Sequence, residues 1–312
     1  MVKNSDTPSA PTPPPVAASP LPQSPAVAAR FAALHARPVI LEAEHLTCEF
    51  DSERGRVTAL RDINVRIHRR EIVCVIGPSG CGKSTFARVI AGLQPVSAGQ
   101  ILVDGQPVTA PGPDRGMVFQ GYTLFPWLTL AQNVRFGLDM QGRAENTADA
   151  EARQWLDLVG LGKFADSFPH QLSGGMKQRV AIARALAAGP KILLMDEPFG
   201  ALDPNTRAQM QTHLMEIWRN VDITIVFITH DMDEAILLAD RILVLKAHPG
   251  EVLEFLEVPV PRPRSLAQFN TPEFQATRRH LDALIHPAPS AHDPDHAPLP
   301  IIRLTQSGDD VE

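Results

Sequence analysis

Residues 72–85 read IVCVIGPSGCGKST and combine an apolar strand pattern with a glycine-rich loop. Residues 72–76 are continuously apolar, which is typical of a strand covered on both faces of a parallel sheet. The following residues match the pattern G-x-x-x-x-G-K-[ST], in which glycines let backbone N–H groups turn toward phosphates. An apolar helical pattern begins at Phe86. The stretch therefore predicts a nucleotide-binding α/β domain.

This loop contains most of the predicted nucleotide contacts. The Lys83 side chain is expected to reach the β- and γ-phosphates, and the Ser84 hydroxyl to bind Mg²⁺. The positive end of the following helix also favours an anion. The cofactor-binding residues predicted here are Gly77, Ser79, Gly80, Cys81, Gly82, Lys83, Ser84 and Thr85.

Two further apolar runs, residues 192–195 and 223–228, end in residues that can perform chemistry. The first is followed by Asp196 and Glu197, and the second leads into His230. Ligands bind at the carboxyl ends of parallel strands, so these side chains are expected to meet at one sheet edge. Asp196 is predicted to hold Mg²⁺ and Glu197 to face the γ-phosphate, because phosphoryl transfer needs charge neutralisation and a positioned water. A histidine after a strand is by itself more often structural than catalytic.

A second candidate anion site lies at residues 172–179, LSGGMKQR. Ser173 is a good helix cap, and Gly174 and Gly175 leave N–H groups unobstructed at the positive helix end. Taken alone, the pattern could be a cap and nothing more. If it does bind phosphate, either one chain holds two phosphate sites or each chain offers this site to a partner's nucleotide.

Together with the phosphate-binding loop, LSGGMKQR resembles the signature of the ATP-binding subunits of ATP-binding cassette (ABC) transporters, a likeness that extends over about residues 40–263. The resemblance implies a P-loop NTPase fold with a mainly parallel core sheet, a small antiparallel β subdomain, and a helical subdomain at about residues 121–180. It also implies ATP hydrolysis with ATP and Mg²⁺ as cofactors. Two subunits would pair head to tail, so that Ser173 of one chain faces the γ-phosphate held by Lys83 of the other.

The resemblance assigns roles to four more residues. His230 would contact the γ-phosphate, and Gln120 would act as a catalytic and metal-sensing glutamine. Asp203 would lie in the loop that crosses the dimer seam. Phe50 stands where the family stacks an aromatic ring on adenine, although packing in the core is an alternative for this side chain. Residues 124–127, LFPW, would dock a coupling helix of the membrane subunits or pack internally.

Subgroup features resemble the importers. Residues 196–203, DEPFGALD, are similar to the importer form, and residues 113–127 and 257–264 look like the nitrate, taurine and aliphatic sulfonate importers. The implied partners are a second copy or a homologous ATPase subunit, transmembrane permease subunits, and indirectly an extracytoplasmic solute-binding protein. The implied location is peripheral, at the cytoplasmic face of the inner membrane.

Composition narrows the alternatives. The net charge of −6 argues against nucleic acid as a partner. One alternative is a soluble ABC-type ATPase that acts on a ribosome or DNA complex. Another is a cassette that binds ATP without hydrolysing it, against which the presence of both Glu197 and His230 argues.

Proline marks the predicted domain limits: nine of the 29 prolines fall in residues 1–38 and ten in residues 249–312. Residues 1–38 are predicted to be a disordered tail, because they offer little apolar surface to offset the entropy of ordering. Residues 39–262 are the predicted ATPase domain. Residues 263–312 are a predicted extension, with a short helix capped by Thr271 and a disordered end.

Overall fold

The computed structural model describes residues 21–52 and 55–287, and ten strands and eight α-helices occur within them. The predicted disorder of residues 1–20 and 288–312 lies outside the described residues. The strands are β1 (Val39–Ser52), β2 (Gly55–His68), β3 (Ile72–Ile76), β4 (Ala98–Val103), β5 (Gln106–Pro107), β6 (Arg115–Val118), β7 (Ile192–Asp196), β8 (Thr224–Ile228), β9 (Arg241–Lys246) and β10 (Glu251–Glu257). The helices are α1 (Pro25–His35), α2 (Lys83–Ile90), α3 (Leu130–Met140), α4 (Glu145–Leu158), α5 (Gly174–Ala187), α6 (Pro204–Asn220), α7 (Met232–Leu238) and α8 (Pro272–Ile285).

The central sheet has six strands in the order β10-β9-β3-β8-β7-β6. All neighbours in it pair in parallel except β10, which runs antiparallel to β9 at one edge. Every residue of β3, β7 and β8 is buried, because apolar clusters cover both faces of the sheet. The predicted mainly parallel core sheet is confirmed, and its strand ends meet at one edge as expected.

A smaller antiparallel sheet, in the order β2-β1-β4-β5, covers one face of the central sheet. Its β4–β5 turn is made by Asp104 and Gly105, both with positive φ (51° and 72°). Two successive positive φ values are the requirement of a type I′ hairpin turn, which Asp-Gly satisfies readily. The predicted antiparallel β subdomain is confirmed.

Helices α3, α4 and α5 form the predicted helical subdomain, which lies between β6 and β7 along the chain. Thr129 begins α3 with a capping box, in which its hydroxyl accepts from the N–H of Gln132 and the Gln132 side chain accepts from the N–H of Thr129. Val134 of α3 and Leu156 of α4 are fully buried and belong to the apolar cluster that also covers one face of the central sheet. The subdomain therefore holds the start of α5 on a packed helical scaffold.

Helix α1 differs from the prediction, since it lies within the tail expected to be disordered. Ser24 caps it, and Val27, Phe31 and Leu34 bury one face. Arg30 donates to the carbonyl oxygens of Val258 (2.8 Å) and Val260 (3.3 Å). These contacts are separated by more than 200 residues in sequence, so local composition could not reveal them.

The segment after β10 packs against the domain instead of leaving it. Arg262 donates to a carboxylate oxygen of Asp240 at 2.9 Å, and Thr271 caps α8 as predicted. Phe274 and Leu281 of α8 are buried, and the helix contacts α7 and β9. The predicted domain limit at residue 262 therefore falls within packed structure.

Candidate functional site

The phosphate-binding loop joins β3 to α2, and two of its glycines allow close contact with neighbouring strands. A Cβ atom on Gly77 would lie 2.3 Å from the carbonyl oxygen of Leu245 in β9. One on Gly82, which has a φ of 92°, would lie 2.8 Å from the carbonyl oxygen of Ala59 in β2. Both positions therefore need glycine for a steric reason. The exposed part of the loop is formed by Ser79 and Gly80.

The Lys83 side chain is buried beneath this loop. Its Nζ donates to the carbonyl oxygens of Gly77 (2.9 Å) and Pro78 (3.0 Å). The Cys81 thiol is also buried, with Sγ 3.8 Å from the same nitrogen, and burial raises its pKa. The side chain of Cys81 thus packs inside the loop, and its contact with the nucleotide stays a prediction. Thr85 is half-buried in the first turn of α2.

Of the three residues predicted at the Mg²⁺ site, Ser84 and Asp196 contact each other, whereas Gln120 lies beside Glu197. The hydroxyl of Ser84, in α2, donates to Oδ1 of Asp196, the last residue of β7, at 2.9 Å. Burial raises the pKa of Asp196, the charge of Glu197 acts in the same direction, and the Ser84 hydrogen bond acts in the opposite one. Hard oxygen donors of this kind suit Mg²⁺.

The described residues contain no group of three or more His, Cys, Asp and Glu side chains that could hold a metal by themselves. Mg²⁺ commonly takes one or two protein oxygens and completes its shell with substrate phosphates and water. The Ser84–Asp196 pair beside the phosphate-binding loop fits that arrangement.

Glu197 lies at the centre of the predicted catalytic group. Its Oε2 is 3.4 Å from Nε2 of Gln120 and 3.4 Å from Nδ1 of His230. The three residues follow β6, β7 and β8, which explains why they meet. Glu197 has a φ of 46°, in the left-handed region that non-glycine residues seldom adopt and that is found disproportionately at functional sites. Half-buried Glu197 and exposed His230 leave this group open to a ligand.

The start of α5 is built around its two glycines. Ser173 is exposed, and its hydroxyl accepts from the N–H of Met176 at 3.4 Å. A Cβ on Gly174 would lie 2.8 Å from the hydroxyl of Tyr122, and one on Gly175 would lie 2.6 Å from Cγ2 of Thr206 in α6. A side chain at either position would therefore require Tyr122 or Thr206 to move. Tyr122, the single tyrosine of the sequence, was not predicted as a site residue, because no motif includes it.

Asp203 and Phe50 lie apart from the catalytic group. The Asp203 carboxylate caps α6, accepting from the N–H groups of Asn205 and Thr206 at 3.1 Å each, and these bonds lower its pKa. Phe50 is half-buried on β1 and packs against the core beneath the antiparallel sheet. The packing alternative for Phe50 therefore has a structural basis, and its adenine contact stays a prediction.

An aromatic surface, defined by Phe125, Trp127, Phe136 and Met140, follows Gln120 along the chain. The Phe125 ring lies 5.7 Å from that of Trp127 and 4.8 Å from that of Phe136, between centroids. Arg184 of α5 lies over the Phe125 ring and donates to the carbonyl oxygen of Thr123 at 2.8 Å. Trp127 and Met140 are nevertheless 71% and 75% exposed. The surface joins the glutamine loop to the helical subdomain.

This fold and site define a P-loop ATPase that binds ATP with Mg²⁺. The ABC transporter family model matches residues 60–200. The nitrate import ATP-binding protein NrtD of Synechocystis sp. is 52% identical over 221 residues, which cover 71% of this chain and 83% of that protein. The aliphatic sulfonates import ATP-binding protein SsuB of Bacillus cereus is 43% identical over 232 residues, which cover 74% and 90%.

A solved structure agrees with the sequence comparison. A dimeric ATP-binding cassette in a post-hydrolysis state, bound to ADP and Pi, matches with a TM-score of 0.63 and 32% identity over 70% of this chain and 98% of that one. The chain belongs to the ATP-binding proteins of the ABC transporter family, and it is an ATPase. Among the described residues, no helix is long and apolar enough to cross a membrane.

Proposed function

We propose that this chain is the ATP-hydrolysing subunit of a membrane importer, and that it couples hydrolysis at a head-to-tail dimer interface to solute uptake. The observation that carries the proposal is the meeting of Ser84, Asp196, Glu197, Gln120 and His230 at one sheet edge. There, the Ser84–Asp196 pair proposed to bind Mg²⁺ lies beside the side chains proposed to position water, as phosphoryl transfer requires.

The residues divide the work of hydrolysis. The loop around Lys83 cradles the β- and γ-phosphates, and Ser84 with Asp196 holds Mg²⁺. Bound there, Mg²⁺ supplies charge neutralisation at the phosphate oxygens. The Glu197 carboxylate orients the attacking water and accepts its proton. Gln120 and His230, each 3.4 Å from that carboxylate, position it and contact the γ-phosphate.

The paired arrangement rests on the start of α5. Exposed Ser173, at the positive end of a helix of 14 residues, is suited to meet a phosphate brought by another molecule. Asp203 would lie at the same seam. The dimeric cassette that resembles this chain supports such pairing for a second copy or a homologous subunit.

The aromatic surface is the proposed contact with the permease. Large exposed apolar groups clustered in this way mark interaction sites in soluble proteins. The surface is tied through Thr123 and Arg184 to α5 and, along the chain, to Gln120. A permease helix seated on Trp127 and Met140 would therefore touch a segment that ends at the catalytic group.

Nitrate, taurine and aliphatic sulfonates are the proposed solutes. Relatives named for nitrate import and for aliphatic sulfonate import support two of these solutes. The solute would be recognised by an extracytoplasmic binding protein, so the chain would work as a peripheral protein at the cytoplasmic face of the inner membrane.

Co-purification tests the assignment. The chain is expressed together with a candidate permease and binding protein. We expect it to elute with the permease, and the double variant Trp127→Ser, Met140→Ser to lose this association. Leu253→Ser, at an exposed apolar residue of β10, is the matched control and should keep the complex.

Titration of the binding protein with nitrate, taurine and an alkanesulfonate identifies the solute class. Recovery of the ATPase with ribosomes or DNA, and without permease, would favour the soluble alternative.

A further inference from the structure

Glu234 is a buried carboxylate one helical turn beyond His230. It lies in α7 and is 6% exposed. Its Oε2 accepts from the Thr229 hydroxyl at 2.6 Å, and its Oε1 accepts from Nε2 of Gln211, in α6, at 2.9 Å. Thr229 and Gln211 are themselves buried. Side chains from the end of β8, from α6 and from α7 thus meet at one carboxylate.

The same bonds hold the backbone on both sides of His230. The Thr229 hydroxyl donates a hydrogen bond to Glu234, and its oxygen accepts from the N–H of Asp231 at 3.0 Å. Asp231 in turn caps α7 by accepting from the N–H of Glu234 at 3.0 Å. His230 is therefore fixed at its two neighbours, whereas its imidazole is exposed toward Glu197.

A second connection runs from the same loop to the start of α6. Nη1 of Arg207 lies 3.6 Å from a carboxylate oxygen of Asp231, and Nη2 donates to the carbonyl oxygen of Leu202 at 3.3 Å. Leu202 precedes Asp203, which caps the helix. The histidine loop thus contacts α6 at two points, Arg207 and Gln211, one turn apart.

Because the Glu234 carboxylate is buried, it needs hydrogen-bond donors from the protein. Desolvation raises the pKa of Glu234, the hydrogen bonds from Thr229 and Gln211 act against that rise, and the charges of Asp231 and Arg207 act in opposite directions. A buried polar group left without its partner is costly, so the three side chains hold one another in a single arrangement.

We propose that Glu234 is a positioning residue for hydrolysis, which sets the His230 loop through Thr229 and ties it through Gln211 to the helix that Asp203 begins. A displacement of the Asp203 loop would then move α6 and reach His230 through these bonds. The inference rests on the proposed function, because it takes His230 and Glu197 as the groups that act on ATP.

Two pairs of variants test this connection in the full-length ATPase. Gln211→Met removes the donor on α6 without touching the histidine loop, and Gln209→Met makes the same change at an exposed position of that helix. Thr229→Val removes the hydroxyl at similar volume, and Thr229→Ser restores it. Steady-state MgATP hydrolysis gives kcat and KM, and thermal melting reports folding.

We expect Gln211→Met and Thr229→Val each to lower kcat about tenfold, the size of one lost buried hydrogen bond to a charged group, with KM for ATP unchanged. Gln209→Met and Thr229→Ser should keep the wild-type kcat. Two results would overturn the positioning role of Glu234: an unchanged kcat in Gln211→Met, or a loss of kcat in Thr229→Val that Thr229→Ser does not restore. Either result is informative when Glu197→Gln still shows the expected loss of hydrolysis. A rate near that of the wild type in Glu197→Gln would instead contradict the catalytic role of Glu197, on which this inference rests.

Discussion

The catalytic edge of the central sheet and the start of α5 differ in how far one chain completes them. At the edge, the Ser84 hydroxyl donates a hydrogen bond to Asp196 at 2.9 Å. The Glu197 carboxylate oxygen lies 3.4 Å from the nearest side-chain nitrogens of Gln120 and His230. At the start of α5, the hydroxyl of the exposed Ser173 accepts a hydrogen bond from the N–H of Met176 in its own helix.

The difference follows from how each region is built. Neighbouring parallel strands bring their ends together by topology alone, so a single chain assembles the catalytic edge. The helix start lies on a separate helical subdomain, where Gly174 and Gly175 are packed against the same chain and Ser173 faces outward. This contrast supports a division in which one chain positions metal and water, and a second chain closes the site over the γ-phosphate.

Glu197→Gln should have the largest effect on this division. We expect hydrolysis to fall about 10³-fold, because the amide cannot accept the proton of the attacking water. ATP binding should persist, since the phosphate-binding loop is unchanged, and the paired form should accumulate. Phosphate release measures the rate, and Glu216→Gln, at an exposed glutamate of α6, is the control. A rate near that of the wild type would remove Glu197 from the catalytic role.

Asp196→Asn should have the next largest effect, because it removes the negative charge from the Ser84–Asp196 pair proposed to bind Mg²⁺. We expect hydrolysis to fall about 10²-fold and the Mg²⁺ concentration at half-maximal rate to rise. A Mg²⁺ titration of the rate measures both changes. Asp222→Asn, which breaks only an exposed ion pair with Arg69, should behave like the wild type. An unchanged Mg²⁺ dependence in Asp196→Asn would contradict the assignment of this metal ligand.

Ser173→Arg tests the other region. A long cation in place of the exposed hydroxyl should block the second chain, so that the protein stays monomeric with ATP in the Glu197→Gln background. Light scattering after size exclusion reports the mass. Ser173→Ala removes the hydroxyl, and with it the helix cap and the proposed phosphate contact, at a cost of about 1 kcal/mol of helix stability. It adds no bulk at the interface, so this variant should still dimerise. Dimers that persist in Ser173→Arg would contradict a shared site at the start of α5.

Cys81 gives the smallest expected effect, because its thiol lies inside the loop. Its burial and raised pKa keep the reactive thiolate scarce, so a maleimide should label it slowly with or without ATP. Mass spectrometry of the digested protein locates the label, and labelling after unfolding shows that the reagent is active. Fast labelling that ATP prevents would show that the thiol faces the nucleotide.

Much of the catalytic edge could be predicted because its information is local. The glycines before Lys83 and the apolar runs before Asp196 and His230 each specify a loop or a strand end within a few residues. The cap of α8 at Thr271 was predictable for the same reason. Helix α1 has the same local signal, Ser24 as cap and Pro25 at the first position, but the proline-rich composition around it favoured disorder. Its docking through Arg30 on the carbonyls of Val258 and Val260 could not be predicted, because those residues are distant in sequence.

Sequence by itself determined the family, the phosphate-binding loop and the identity of the groups at the strand ends, because these depend on residue type and short spacing. Tertiary structure alone decided which of those groups touch. The left-handed φ of Glu197, the packing of Gly174 on Tyr122 and the bonds from Gln211 to Glu234 to Thr229 join residues that folding brings together. Their distances depend on how strands and helices pack, and no local pattern records that.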